Sequence, residues 1–477
     1  MALRSLNAVP QLTLMGREHC DLVHQASLEI LRRTGVRVYQ SEARARLAHA
    51  GAQVSDETLV RLPAELVEWA LGRAPSRLVL CRRGSNLPQV RLEGREVSFG
   101  TGSDCPNYLD PRSGERRTAG RQDVVDAIRL VDALPELDFC MSMGIPADLG
   151  GASPYREQFA LMLANTTKPN VFVCDGRADC ESIVAMAAAA AGGTESLRLN
   201  PTLLLYSEPS SPLRHTESAT EKLIFMAEQG LPVVHSPAPM MGGTAPVSLA
   251  GAMALGNAEV LSSLVIHQLT RSGAPFVYGV QAHHMDMKAM ISVYGAPEYE
   301  LARVMSVEMA RYYGLPSWGN AGMTDSPTVD EQAAMDAITS VMVAMLTGTN
   351  LVHDVGYAEA GLATSPEMIV LSAEAISMMR RFAAGVDFDA ESLALEVIHQ
   401  VGPGGDYLSQ EHTLRHFREF WSPRLLERQR FDRWTKAGGK RLGQRLRERT
   451  LAIMDEHQPE PLPHGVASEI EYILRSG

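Results

Sequence analysis

Two stretches late in the chain gather side chains able to do chemistry. GMTDSP (322–327) offers Asp325, and HDVGYAE (353–359) offers His353, Asp354, Tyr357 and Glu359. Glu208, His235, Gln281 and His283 follow other apolar runs. A histidine among carboxylates, amides and phenols can hold and orient a polar substrate, and some familiar catalytic devices have no counterpart. No lysine stands at a strand end with Schiff-base spacing, Lys288 being the nearest. GTGSD (100–104) is only a weak phosphate cradle, and there is no G-x-S-x-G elbow. A metal is the rival idea: His283-His284-x-Asp286 with His353-Asp354, and sulfur from Cys105 or Cys140. That spacing matches no standard zinc pattern. Adjacent histidines on an extended loop also face opposite ways, so at most one reaches a shared centre. His267, His399 and His416 fall on helices and read as structural.

The elements that must position these residues have clear punctuation. Pro316–Asn320 reads as a strand, and Thr328 with Glu331 reads as a capping box opening a helix. Ala334, Ile338, Val341 and Met345 keep the helical period until Gly348, and a second strand covers Asn350–Val355. This is a βαβ unit with its polar side chains at both strand C-terminal ends, the edge where parallel α/β folds place chemistry. Ser153-Pro154 and Ser365-Pro366 open helices as N-cap and first residue, and Ser218–Glu221 reads as another capping box. Gly230-Leu231-Pro232, Gly273-Ala274-Pro275 and Gly314-Leu315-Pro316 each separate a helix from a strand, 43 and then 41 residues apart. Strands are expected near 138, 171, 202, 233, 276, 317 and 351, with an eighth unplaced. So many units in series point to an α/β fold of the (β/α)8 TIM-barrel type. Residues 1–120 read as an N-terminal helical cap with a small β-layer, 121–385 as the barrel, and 386–477 as a helical extension.

The chain of 477 residues has 45% hydrophobic and 21% charged residues, ordinary for a globular enzyme. Its net charge of −12 argues against nucleic acid as partner. No stretch of 18 uninterrupted apolar residues and no signal-peptide core stand out, so no membrane association is expected. Six scattered cysteines fit a reducing cytoplasm. Residues 424–449 carry ten Lys/Arg against three Asp/Glu, which reads first as a solvated helical face and second as a docking patch for an acidic partner.

Several longer motifs carry a resemblance: FGTGSD…YLDPRSGERR (99–117), SVYGAPE (292–298), GLPSWGNAGMTDSPTVDEQAA (314–334), TNLVHDVGYAEAGLATSPEMIV (349–370) and VGPGGDYLSQEHTLRHFREFW (401–421). In this order they resemble the trimethylamine methyltransferase (MttB) superfamily, in its branch without pyrrolysine. The pattern departs at Pro327 and Asp336, where lysine and glutamate stand in the family. The resemblance implies a (β/α)8 barrel that moves a methyl group from a methylamine or a betaine, such as glycine betaine, to the Co(I) corrinoid of a separate small protein. The corrinoid would be carried by that partner, and this chain contains no pyrrolysine. A homo-oligomer is an open expectation.

Such chemistry asks little of side-chain nucleophiles. The substrate's positive charge vanishes as the methyl leaves, so a carboxylate gripping the cation would favour ground state over transition state. Aromatic faces in a desolvated pocket suit it better. Tyr278, Trp318, Tyr357, Tyr206 and Tyr108 stand near the expected strand ends. A betaine carboxylate would need His353, His235, Gln281 or Arg214. Asp325, Asp354 and Glu359 would orient these groups, and no general acid is required, because the amine product leaves unprotonated. Two rivals stay open: a metal-assisted lyase or hydrolase on the same barrel, and a betaine-binding protein without turnover.

Overall fold

Short runs such as Leu203–Ser207, Val233–His235 and Leu351–Val355 are buried almost throughout. Near-continuous burial is what parallel strands covered on both faces require. In the computed structural model, which describes residues 6–85, 87–149 and 153–476, these runs form a parallel α/β arrangement. Asn170–Phe172, Leu203–Ser207, Val233–His235 and Phe276–Val277 pair in that order. A single bridge joins Tyr278 to Ser317, and Trp318–Asn320 pairs with Leu351–Val355. Leu351–Val355 pairs in turn with Ser98–Thr101. Bridges from Gly100 to Phe139 and from Cys140 to Asn170 complete the set. The eighth strand left unplaced by the punctuation is therefore Ser98–Thr101, inside the stretch assigned to the cap. Its glycine and serine give it no apolar run to notice.

A helix follows each strand: Arg121–Ala133, Pro154–Asn165, Arg177–Ala191, Glu217–Gln229, Leu249–Thr270, Pro297–Tyr313, Glu331–Thr347 and Pro366–Ala383. Gly230, Gly314 and Gly348 close three of them with φ of 67°, 68° and 74°, as the left-handed cap demands. Ser153 and Ser365 are N-caps with proline at the first turn, as expected. Two capping boxes are corrected. Asp330, not Thr328, caps its helix by accepting from the Ala333 amide, and Thr216, not Ser218, accepts from Ala219. The first helix begins two residues later than the pattern suggested and the second two residues earlier, because a different side chain in each case meets the free amide three positions on.

Leu249–Thr270 is long and apolar enough to cross a membrane by composition, yet 78% of its most apolar window is buried here. The Arg17–Glu29 and Ala64–Leu71 helices pack on it, so protein contacts account for its apolarity. The N-terminal layer also holds the small antiparallel sheet of Val36–Val38, Leu59–Arg61 and Gln53–Ser55.

Below the strands lies a separate apolar cluster. Phe139, Val171, Leu204, Val234, Val277, Trp318 and Leu351 pack against Leu78, Leu80, Val90 and Leu92 of the antiparallel hairpin at 78–92. The Cys81 amide bonds Pro201 O and the Arg83 amide bonds Thr167 O, so the hairpin sits at the strands' N-terminal end. The polar loops are left to the opposite end. The basic C-terminal segment includes the Leu442–Glu456 helix, which buries Leu446, Thr450, Ile453 and Met454 against its neighbours and leaves its charged face to solvent.

Candidate active site

The strand C-terminal ends and their loops surround a cavity of about 230 Å³. Ser103 and Asp104 come from the loop after Ser98–Thr101, Tyr206 and Glu208 from the end of Leu203–Ser207, and Gln281 and His283 from the loop after Phe276–Val277. His353 and Asp354 end the last strand, and Tyr357 follows. Tyr294 and Tyr299 close one side from the turn into the Pro297–Tyr313 helix. Four phenol rings thus face one small space.

The floor is an aromatic stack. Trp318 lies against the His353 ring at 4.1 Å between centroids and 21° between planes, and against Tyr206 at 5.2 Å and 26°. His353 is buried, and its Nδ1 lies 2.7 Å from Asp354 Oδ1. This ion-pair contact restrains the ring's orientation. Nε2 is buried without a hydrogen-bond partner.

Asp354 holds φ at 70°, uncommon for a side chain other than glycine. Its bonds to His353 and to Asn320 Nδ2, at 3.1 Å, offset that strain. Asn320 also donates to Tyr299 Oη at 2.8 Å and accepts from Arg303 Nε at 2.8 Å. The Arg303 guanidinium stacks over the Tyr299 ring at 4.0 Å. This cation therefore reaches the cup only through other side chains. Gly102 is required by close approach: a Cβ there would overlap the Tyr357 ring, whose hydroxyl donates to Ser103 O.

Two carboxyls in the cup titrate abnormally. Burial pushes the Asp104 carboxyl up to about 6, and its Oδ1 has no partner. Burial also raises Glu208, opposed by the hydroxyl that Tyr206 donates to it and by nearby His353. Glu208 is hemmed in by protein yet open to the cavity, so its charge is set by the cup and by what enters it.

The family model described as Trimethylamine methyltransferase (MTTB) matches residues 2–476. The chain belongs to the MTTB family. It is 32% identical over 458 residues to trimethylamine methyltransferase MttB of Desulfitobacterium hafniense (strain DSM 10664 / DCB-2), covering 96% of this chain and 92% of that protein. It is 29% identical over 469 residues to glycine betaine methyltransferase of Desulfitobacterium hafniense (strain Y51), covering 98% and 97%. With trimethylamine methyltransferase MttB of Methanosarcina thermophila it shares 31% over 477 residues, 98% of each. Among solved structures, the hydroxylamine complex of MtmB matches with a TM-score of 0.53 at 12% identity, covering 93% of this chain and 89% of that one. That likeness bears on the fold alone. Like its named relatives, this MTTB-family chain is a methyltransferase enzyme.

Of the residues picked from sequence, His353, Gln281, Tyr206, Tyr357, Asp354, Glu208 and His283 line the cup of this MTTB-family protein. Trp318 lies beneath it. Others are elsewhere, for reasons of strand alternation and loop geometry. Tyr278 is fully buried on the helix side of its strand, its hydroxyl donating to Asn257 Oδ1 at 2.8 Å. His235 is buried beside His215, with ring centroids 6.2 Å apart and neither nitrogen bonded. Asp325 accepts from the Tyr294 and Gly295 amides, at 2.8 Å each, and so holds the loop that carries Tyr294. Glu359 pairs with Arg116 at 2.9 Å. Arg214 stands on the small N-terminal sheet, and Tyr108 is buried beneath Arg117. Of the rival metal grouping, His283, His353 and Asp354 line the cup, but their ligand atoms do not form a cluster in reach of one another. Among the described residues, the one cluster with ligand atoms in reach of each other is Glu391, His412 and His416, far along the chain.

Sequence reasoning passed over Asp104, Tyr294 and Tyr299. Asp104 was read only as part of a weak phosphate loop. Tyr294 and Tyr299 lie in and just after SVYGAPE, a motif that carried the resemblance but had no assigned role. Because Tyr278 lies outside the cup, Tyr278→Phe should leave KM unchanged. The loss of its hydrogen bond should lower stability by about 1 kcal/mol, measurable by urea titration.

Proposed function

We propose that this enzyme transfers a methyl group from a small quaternary amine, glycine betaine or a close relative, to the Co(I) corrinoid of a partner protein. We infer further that its strands form a closed (β/α)8 barrel. The pairing that passes from strand to strand and returns to Ser98–Thr101 supports that closure. The observation that carries the function is the cup itself. Four phenol rings, two carboxyls of raised pKa and a stacked histidine face about 230 Å³, and among the described residues no lysine, arginine or cysteine lines it. The space falls below the roughly 300 Å³ at the lower end of ordinary ligand pockets, so it suits a small substrate. It leaves no room for a corrinoid macrocycle, which fits a corrinoid that stays on its partner and approaches the opening.

When present, the Co(I) corrinoid supplies the nucleophile that a methyl on quaternary nitrogen requires. This chain's residues bind, orient and desolvate the substrate. The rings of Tyr206, Tyr294, Tyr299 and Tyr357 attract the trimethylammonium group by about 0.5–2 kcal/mol per well-placed face, with little cost when the charge disappears. The amine product leaves without a proton. The betaine carboxylate is met by the donors of Gln281 and Ser103 and, when the His353 ring carries both protons, by its otherwise unbonded Nε2–H, and this works only while Glu208 is uncharged.

A pH dependence follows. Glu208 is protonated below its raised pKa and charged above it, and Asp104 adds a step near 6. The KM for glycine betaine should therefore rise as pH is raised through these titrations. Glu208→Gln should remove the Glu208 step from that rise and leave the step near 6. A quaternary amine without a carboxylate should show the opposite trend. The function itself is tested by incubating the enzyme with a reduced corrinoid protein and candidate quaternary amines while cobalt methylation is followed spectroscopically. Absence of methylation with every amine would refute it.

A further inference from the structure

The Pro366–Ala383 helix starts beside the cup, where the Ser365 amide bonds Gly356 O, and ends at the other side of the strands, where Arg380 bonds Asp138 at 2.6 Å. The stretch beyond it has no core of its own: from 380 to 424 no residue is buried. Two short helices lie there, Ala390–Leu393 and Glu411–His416. Four and six residues are too few for a helix to hold by propensity. Their side chains nevertheless converge on one point. His412 and His416, four residues apart, share a helix face, and their ring centroids are 4.3 Å apart. Glu391 approaches from the other helix. Its Oε1 lies 2.9 Å from His416 Nε2, and its backbone O lies 3.2 Å from His412 Nε2. One ligand atom from each of the three residues lies within 4.8 Å of the others. His416 also meets a second carboxylate, with Glu419 Oε1 2.7 Å from its Nδ1.

We propose that Glu391, His412 and His416 bind a divalent transition-metal ion of the zinc class, with Glu419 orienting His416. Two imidazoles and a carboxylate are a donor set that zinc accepts. A histidine that ligates a metal through one nitrogen commonly gives its other N–H to a carboxylate, and Glu419 stands in that place at Nδ1. Bonds of about 2.0–2.1 Å set ligand atoms about 3.4 Å apart in a tetrahedron. The pair at 2.9 Å therefore opens by about half an ångström, and the wider separations, up to 4.8 Å, close by rotation of side chains at the surface. Arg415 also reaches Glu391 Oε1, at 2.9 Å, but a carboxylate has lone pairs enough on two oxygens for a guanidinium and a metal together. His412 and His416 line a cavity of about 600 Å³ with Asp387 and Ser392, so the remaining coordination position faces space for water or a further ligand. The ion would cross-link two helices that lack a shared core, the way small coreless structures gain order from a metal. Because this stretch leaves the strands at the end opposite the cup, the site is a staple apart from methyl transfer.

The test is titration of the chelator-treated full chain with zinc alone, followed by calorimetry and by metal analysis after dialysis. Wild type should bind one zinc per chain that the His412→Ala/His416→Ala double variant does not, a loss of affinity of about a hundredfold or more. Glu419→Gln, which touches no metal, should weaken binding by about tenfold, as expected for a residue that orients a ligand. His399→Ala, an exposed histidine on the Leu395–Val401 helix, is the control and should bind as wild type does. Zinc should slow hydrogen exchange at 390–416 in wild type and leave it unchanged in the double variant, whose circular dichroism should match the wild type without metal. A wild type that takes up no zinc, or a folded double variant that binds it as tightly as wild type, would overturn the proposal. The readout is metal uptake, so it stands whatever the methyl-transfer assay gives.

Discussion

Trp318→Ala should lower unfolding stability by about 3–5 kcal/mol, the range for removing a large buried aromatic, and should raise KM as well. Trp318 is among the largest fully buried side chains and belongs to the apolar cluster beneath the cup. It also carries both the His353 and Tyr206 rings on one face. Its indole nitrogen is buried without a partner, so Trp318→Phe sacrifices no hydrogen bond. That milder change should cost less than about 1.5 kcal/mol and keep most of the activity. Denaturant titration separates the two variants. Equal damage from both would mean that the plane beneath His353 is not what matters.

His353→Ala should reduce kcat/KM at least a hundredfold, about 2.7 kcal/mol of transition-state stabilisation, while the protein still unfolds cooperatively. This side chain combines a fixed orientation from Asp354, a stacked face and an unbonded Nε2 at the cup. Asp354→Asn removes the charge but keeps a group able to bond the ring and Asn320. Its loss should be smaller and should show mainly in KM, since His353 would be less firmly placed. Steady-state kinetics with a saturating methyl acceptor distinguishes the two. An unchanged kcat/KM for His353→Ala would remove His353 from the site.

The repeating joints at Gly230, Gly273 and Gly314 made the alternation of helix and strand legible, because glycine and proline each mark a backbone requirement that few other residues meet. The strand at 98–101 was not legible. Its SFGT sequence lacks an apolar run, and its burial comes from pairing with residues some 250 positions away. At the site, His353 and Asp354 could be picked out because they end a strand whose limits were clear. Tyr278 could not be ruled out in advance. Strand alternation decides which side a residue faces, and a shift of one residue reverses the answer. Tyr294 comes to the cup through a loop that Asp325 ties down by two amide bonds, a contact with no local pattern, and Tyr299 follows in the first turn of the next helix.

The hairpin at 78–92 fills the end of the strands away from the cup. In the proposed reaction it acts as a stopper, and the amine has one doorway for both arrival and departure. A methyl acceptor seated over that doorway holds the demethylated product inside until it withdraws. Turnover is therefore ordered by traffic as well as by chemistry: the loaded acceptor goes first and the spent amine follows.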